Sequence, residues 1–185
     1  MKYIKAFEQK TSTELIESII NGDLNKVDDL IKSGSVDVNK QSSDDETALI
    51  VASYQNRLNI VKDLINAGAD VNIKSNYTGA WGGYTALMQA SYHNFMNIVK
   101  ELIDAGADVN IKNSDGHTAL YYAMDQSYKG ENYLLFKSLL NAGADYNLVD
   151  LFDFVSDVYR EKLKIDFPEK YDEYLMIKNA KKYNI

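Results

Sequence analysis

The residue types that most often carry catalysis are few in this chain, and none of them falls in a known catalytic pattern. Histidine occurs only at His93 and His117, and cysteine is absent, which excludes disulfides, thiolate zinc sites and a cysteine nucleophile. There is no glycine-rich phosphate loop, no GxSxG nucleophile elbow and no HExxH zinc motif. We therefore expect no enzyme activity, no metal site and no cofactor.

Non-covalent recognition is the chemistry that the sequence does suggest. The segment SNYTGAWGGY, from residue 75 to 84, contains the only tryptophan, Trp81, together with Tyr77, Tyr84 and three glycines. Trp and Tyr are enriched at the centres of protein interfaces, and glycines favour a loop conformation. This pattern favours a binding loop. The alternative is that Trp81 folds back over its own domain as a hydrophobic lid, and both interpretations stay open.

A sequence motif that recurs four times indicates the kind of fold that positions these residues. It reads LIKSGSVDVN, LINAGADVN, LIDAGADVN and LLNAGADYN, and its copies end at Asn39, Asn72, Asn110 and Asn147. A second marker, Thr-Ala-Leu, occurs at 47–49, 85–87 and 118–120, with the variant Thr-Glu-Leu at 13–15. Repeats of this size predict a solenoid, in which each unit buries its apolar face only against its neighbours.

The physical pattern of one unit predicts two helices. Thr47 is placed to cap a first helix with its hydroxyl, and Leu49, Ile50 and Ala52 give that helix a narrow apolar face. The second helix has a wider apolar stripe formed by Ile60, Val61, Leu64 and Ile65. The glycine that follows the stripe is expected to end the helix in a left-handed conformation. Its four copies are Gly34, Gly68, Gly106 and Gly143.

The strings TALIVA at 47–52, TALMQA at 85–90 and TALYYA at 118–123, with the IVKDLINAGADVN and IVKELIDAGADVN segments, resemble the ankyrin repeat family. The chain departs from the family signature T-P-L-H-x-A, with Ala in place of Pro and Ile50, Met88 and Tyr121 in place of His. The resemblance covers residues 13–147. It implies an all-α ankyrin-repeat solenoid of helix-turn-helix units with β-hairpin-like loops.

The repeat markers also predict the organisation of the chain. We expect an N-terminal lead-in at 1–12, repeats at 13–46, 47–84, 85–117 and 118–147, and a helical C-terminal cap at 148–185. Lys26 stands where later copies have Ile60 and Ile98, which favours a polar N-terminal cap. Within the C-terminal cap, Leu151, Val155 and Val158 suggest one helix. Pro168 is suited to begin a second.

The resemblance implies where a partner binds, because the ends of the first helices and the hairpin tips line a concave recognition face in ankyrin-like proteins. The helix-end positions here are Tyr54, Gln55, Tyr92, His93 and Asp125. The hairpin positions are Asp44, Glu46, Tyr77, Trp81, Tyr84, Asp115 and His117. We expect a face that is aromatic in the middle and acidic around it, with Trp81 and Tyr92 outside the core between repeats.

Charge narrows the class of partner. Residues 13–147 contain 18 Asp and Glu against 10 Lys and Arg, and the whole chain carries a net charge of −7. Such a surface repels phosphate backbones, so we expect a protein partner with a basic surface and no nucleic acid, although the charge could equally serve solubility. No apolar run approaches the roughly 18 residues of a membrane span, and no signal peptide is recognisable.

These observations favour a cytoplasmic, monomeric scaffold that acts as a protein–protein interaction module. The alternative is a dedicated inhibitor or immunity-type protein that occludes one basic enzyme or toxin. An inhibitor should have one very tight ligand, whereas an adapter should have several weaker ones.

Overall fold

The computed structural model describes residues 2–43, 45–76, 82–125, 133–145 and 157–183. The helices of these segments are α1 Lys2–Asn21, α2 Leu24–Lys32, α3 Ala48–Tyr54, α4 Leu58–Asn66, α5 Ala86–Tyr92, α6 Met96–Asp104, α7 Ala119–Asp125, α8 Tyr133–Asn141, α9 Asp157–Asp166 and α10 Pro168–Tyr183. No strand occurs within the described segments. The expected all-α class is therefore confirmed.

The helices form two layers. The inner helices α1, α3, α5 and α7 pack side by side, each lies against the outer helix that follows it, and the outer helices α2, α4, α6 and α8 form the second layer. The first six residues of both α3 and α5 are buried, not only one narrow face. An inner helix is enclosed by its two neighbours in the layer and by its outer partner, which explains the difference.

The predicted helix signals are confirmed at both ends. The hydroxyl oxygen of Thr47 accepts a hydrogen bond from the Ile50 amide at 3.3 Å, and Thr85 caps α5 in the same way at 3.2 Å. Beyond the outer helices, Gly34, Gly68, Gly106 and Gly143 have φ values of 62°, 89°, 88° and 89°. This is the left-handed region that disfavours a Cβ.

Asparagine side chains link each repeat to the next. The Asn39 amide nitrogen donates to the Gly68 carbonyl at 3.1 Å, and its oxygen accepts from the Asp70 amide at 2.7 Å. The same pair of bonds joins Asn72 to Gly106 and Asp108, and Asn110 to Gly143 and Asp145. Each bridge satisfies backbone groups near a helix end and fixes the register of neighbouring units.

The two ends of the solenoid differ from its middle. Helix α1 has 20 residues, so the stretch expected as a lead-in is helical and Thr13 lies inside the helix instead of capping it. Lys26 is exposed and its ammonium lies 2.6 Å from the Glu14 carboxylate, consistent with a polar N-terminal face. At the other end, Pro168 begins α10 as predicted. The repeat boundaries remain predictions.

The C-terminal helices pack onto the last repeat. Leu163 of α9 is buried, and Phe167, Tyr171 and Leu175 pack against the core. The Asp166 carboxylate accepts a hydrogen bond from the Tyr133 hydroxyl at 2.7 Å and lies 2.9 Å from the Lys137 ammonium. These two partners lower the pKa of Asp166. The predicted helix positions Leu151 and Val155 lie outside the described residues.

Candidate protein-binding concavity

An open concavity of about 480 Å³ lies at the ends of two inner helices. In the described part of the chain, the residues that line it are Glu46, Tyr54, Gln89, Tyr92 and His93. Four of these five belong to the recognition face that the sequence analysis outlined. The structure thus brings together residues that are up to 47 positions apart in the chain.

Helix boundaries explain why these side chains meet. Glu46 directly precedes the N-cap of α3, and Tyr54 is the last residue of that helix. Tyr92 is the last residue of α5, and His93 is its C-cap. Because α3 and α5 are neighbours in the inner layer, residues near the ends of one helix lie beside those of the other.

The aromatic rings of the concavity form a connected cluster centred on His93. The imidazole makes edge-to-face contacts with Tyr54 at 5.0 Å and with Tyr92 at 4.9 Å, and it stacks on Phe95 at 5.4 Å between ring centres. Burial lowers the pKa of His93 below its ordinary value. An uncharged imidazole is therefore favoured near neutral pH. Tyr54, in contrast, is 53% exposed and presents its ring to solvent.

Gln89 is a lining residue that the sequence analysis missed. It is only 7% exposed, and its side-chain amide makes no hydrogen bond to any residue in the described part of the chain. A signal was available, because alignment of the repeats places Gln89 in the same column as Val51 and Tyr122. A polar residue at a position that is apolar and buried in the preceding repeat indicates that the surroundings of this position differ between the two repeats.

The prediction that Tyr84 contacts a partner is corrected by its burial. It is 3% exposed, its hydroxyl shares a hydrogen bond with the Tyr122 hydroxyl, and its ring lies 5.1 Å from the Tyr122 ring. The Asn113 amide nitrogen also donates to the Tyr122 hydroxyl at 2.9 Å. Burial raises the pKa of Tyr84 and of Tyr122. Tyr84 therefore belongs to a buried polar cluster beneath the hairpins and is not a surface contact.

Tyr92 is only partly accessible. It packs against the hydrophobic core, and its ring meets the Tyr122 ring edge to face at 5.9 Å. The expectation that Tyr92 lies outside the core is therefore wrong, because its ring links the concavity to the interior. Tyr54 is the better probe of surface contact.

The other predicted site residues are not among the described residues that line the concavity. His117 stacks on Tyr121 at 3.6 Å between ring centres, and Asp115 is exposed at the same hairpin tip. Gln55 caps α3 and has a buried side-chain oxygen without a hydrogen bond. Asp125 ends α7, but its side chain is not described. Asp44, Tyr77 and Trp81 lie outside the described residues, so both interpretations of Trp81 remain open.

No group of three His, Asp or Glu side chains is arranged to hold a metal ion in the described segments. Among the helices of those segments, none combines the length and the apolar character required to cross a bilayer.

Comparison with known proteins places the chain in a family. A model of the family described as ankyrin repeats, in three copies, matches residues 3–75 and again residues 74–150. These matches cover more than half of the chain, and the chain therefore belongs to the ankyrin repeat family. Domains of this family are typically non-enzymatic, and they generally bind protein partners.

Individual relatives share only a segment with this chain. Palmitoyltransferase AKR1 of Eremothecium gossypii is 49% identical over 55 residues, which is 29% of this chain and 8% of the relative. Palmitoyltransferase AKR1 of Naumovozyma castellii is 48% identical over 54 residues, covering 29% of this chain and 7% of the relative. The probable palmitoyltransferase AKR2 of Saccharomyces uvarum is 42% identical over 57 residues, covering 31% and 8%.

Proposed function

We propose that this chain binds a protein partner through the concavity lined by Glu46, Tyr54, Gln89, Tyr92 and His93, together with the adjacent hairpin tips. The observation that carries this proposal is the exposed Tyr54 ring, 53% accessible, at the edge of an aromatic hollow. Exposed aromatic rings beside a concave surface are typical of interface hot spots. Acyl transfer is not extended to this chain, because its similarity to the palmitoyltransferases covers under a third of its length.

Hydrogen bonds between neighbouring repeats support binding by a rigid, preformed surface. The asparagine bridges tie successive repeats together, and the Ser114 amide donates to the Gly82 carbonyl at 3.1 Å between neighbouring hairpins. The Asn76 amide likewise donates to the Asp45 carbonyl at 3.0 Å. A preformed surface loses little conformational entropy on association, so more of the contact energy appears as affinity.

Charge supports a basic partner surface. The Glu46 carboxylate lines the concavity, Asp115 is exposed at a nearby hairpin tip, and the net charge of the chain is −7. Complementary charge raises the rate of encounter and disfavours acidic partners.

The proposal is tested by affinity capture from an extract of the source organism, followed by titration of each captured protein against purified variants. Tyr54→Ala should lose the specific partner, whereas Leu134→Ala should keep it. Leu134 is a suitable control because it is 68% exposed but lies on the outer helix α8. Equal affinity of wild type and Tyr54→Ala for every captured protein would contradict the proposed surface. One very tight ligand would favour an inhibitor, and several weaker ligands an adapter.

A parallel variant decides the role of Trp81. If Trp81 contacts the partner, Trp81→Ala weakens binding while the melting temperature stays the same. If Trp81 is a lid, the melting temperature falls and affinity is lost only through unfolding.

A further inference from the structure

We infer that the concavity receives an arginine side chain of the partner, held between aromatic rings and hydrogen-bonded to Gln89 and Glu46. This inference rests on the proposed function, since it assumes that the concavity is the binding site, and it specifies what the site recognises.

The walls of the concavity are largely aromatic. Tyr54, Tyr92 and His93 supply three rings to one hollow, and their mutual contacts are edge to face. An aromatic face attracts a cation, and a planar guanidinium also stacks on such a face. Tyr54 is more than half exposed, so its ring is accessible to an incoming side chain. The lowered pKa of His93 leaves the third ring uncharged near neutral pH, where it does not repel a cation.

Gln89 adds an amide group to the wall of the concavity. Its side chain is more than nine-tenths buried, lines the concavity and has no hydrogen-bond partner among the described residues. The amide is not among the fully buried polar atoms, so it faces the concavity, and a ligand that displaces water there must offer it a hydrogen bond in exchange. Glu46 adds a carboxylate to the same wall. An amide oxygen and a carboxylate are both acceptors, and a guanidinium offers five donors in a fixed fork.

Other side chains complement the concavity less well than arginine does. An acidic side chain would be repelled by Glu46, and an apolar side chain would leave the Gln89 amide unpaired. A lysine ammonium fits less well, because it is strongly hydrated and cannot stack as a plane. The hollow, about 480 Å³, has room for a guanidinium with its aliphatic stem and several waters.

The test uses a small probe, so that it does not depend on knowing the partner. N-acetyl-arginine methylamide is titrated into isotope-labelled protein and followed by nuclear magnetic resonance. The citrulline analogue is the matched ligand control, because it has nearly the same shape without the charge. Arginine should shift the ring signals of His93 and the side-chain amide of Gln89. Citrulline should bind on the order of tenfold more weakly, as expected for loss of a charged hydrogen bond.

Variants of Glu46 and Gln89 test whether each side chain accepts a hydrogen bond from arginine without disrupting the fold. Glu46→Gln and Gln89→Leu should each weaken arginine binding severalfold, whereas Asp63→Asn, on the exposed surface of α4, should leave it unchanged. Gln89→Leu is compatible with folding, because Val51 occupies the corresponding buried position of α3. Denaturant midpoints of all three variants are measured to verify that they remain folded.

Three results would overturn the inference: equal binding of arginine and citrulline, shifts confined to residues outside the concavity, or no shift at all. The proposed function is distinguishable from the inference. If Tyr54→Ala abolishes capture of the partner but the arginine probe does not bind, the concavity is still the binding site and it does not recognise arginine. If Tyr54→Ala captures the partner normally, the proposed function itself is wrong.

Discussion

His93 couples the folding of this protein to pH. Burial against Tyr54, Tyr92 and Phe95 lowers its pKa, so the folded state disfavours the imidazolium while the unfolded chain does not. The unfolded chain takes up this proton as the pH falls through about 6.5, and the folded chain does so only at lower pH. The stability due to neutral His93 is therefore fully present above about pH 6.5 and is lost as the pH falls through the folded pKa.

The variant His93→Phe keeps an aromatic ring and removes the titration. We expect the wild type to lose more stability than His93→Phe between about pH 7.5 and about pH 5.5, because carboxylates titrate similarly in both. Urea unfolding at the two pH values measures this difference. Identical pH dependence of the two proteins would show that burial does not shift the titration of His93.

Ser91 is a second residue whose environment makes a prediction. Its hydroxyl is buried without a hydrogen bond in the described part of the structure, and the same holds for Ser53 in the preceding repeat. Ser91→Ala removes an unsatisfied polar group and favours the helix, so it should stabilise the protein by about 1 kcal/mol. Ser18→Ala is the control, because the Ser18 hydroxyl donates to the Glu14 carbonyl at 2.7 Å. A lower urea midpoint for Ser91→Ala than for wild type would contradict this account.

At the scale of the helices, Gly106 ends α6 with φ at 88°. Gly106→Val should destabilise the protein by about 1 to 2 kcal/mol or more, because a β-branched residue tolerates positive φ poorly. Apart from its chain neighbours, no described residue has an atom within 4 Å of the position of an added Cβ, so the expected effect arises from backbone conformation and not from collision. Ala105→Val, at φ −81° one residue earlier, is the matched control. Urea midpoints that are equal for wild type and Gly106→Val would refute the assignment.

The buried cluster of Tyr84, Asn113 and Tyr122 connects two hairpins to helix α7. Tyr122→Phe leaves the Tyr84 hydroxyl and the Asn113 amide without this partner, which should lower the free energy of unfolding by about 1 to 3 kcal/mol. Tyr121→Phe is the control, because that half-buried residue has no hydroxyl hydrogen bond to the described residues. If thermal and urea unfolding of Tyr122→Phe match those of wild type, the cluster does not stabilise the fold.

The contrast between Gly106 and Tyr84 explains what the sequence could predict. Helix caps and left-handed glycines depend on a few neighbouring residues, so Thr47, Thr85 and Gly106 could be assigned from their spacing. The burial of Tyr84 depends on Tyr122, 38 positions later, and no local pattern reveals it. Gln89 was missed for a different reason: the repeat alignment marks it as a polar residue in a core column, but its place in the concavity depends on two repeats.

The start of helix α1 is another feature that the sequence pattern did not predict. The Thr-Glu-Leu marker suggested that a helix begins near Thr13, but the helix extends back to Lys2. In the later repeats a hairpin precedes the threonine, whereas here the preceding residues continue the helix. The same marker therefore begins a helix in the later repeats but lies inside a longer helix in the first copy.

On the scale of the whole molecule, we propose that the solenoid holds a preformed surface for a protein partner. Stability and recognition are expected to separate in space: the asparagine bridges and buried inner helices hold the fold, and the exposed Tyr54 ring contributes to binding. Substitution of a residue that takes part only in partner binding should change the affinity without changing the stability.

The most direct test measures both quantities on Tyr54→Ala with the captured partner, using titration calorimetry for the dissociation constant and urea unfolding for stability. Tyr54→Ala is predicted to weaken binding by about 1 to 3 kcal/mol with little change in the urea midpoint, while Leu134→Ala leaves both unchanged. An unchanged dissociation constant for a folded Tyr54→Ala protein would contradict the account.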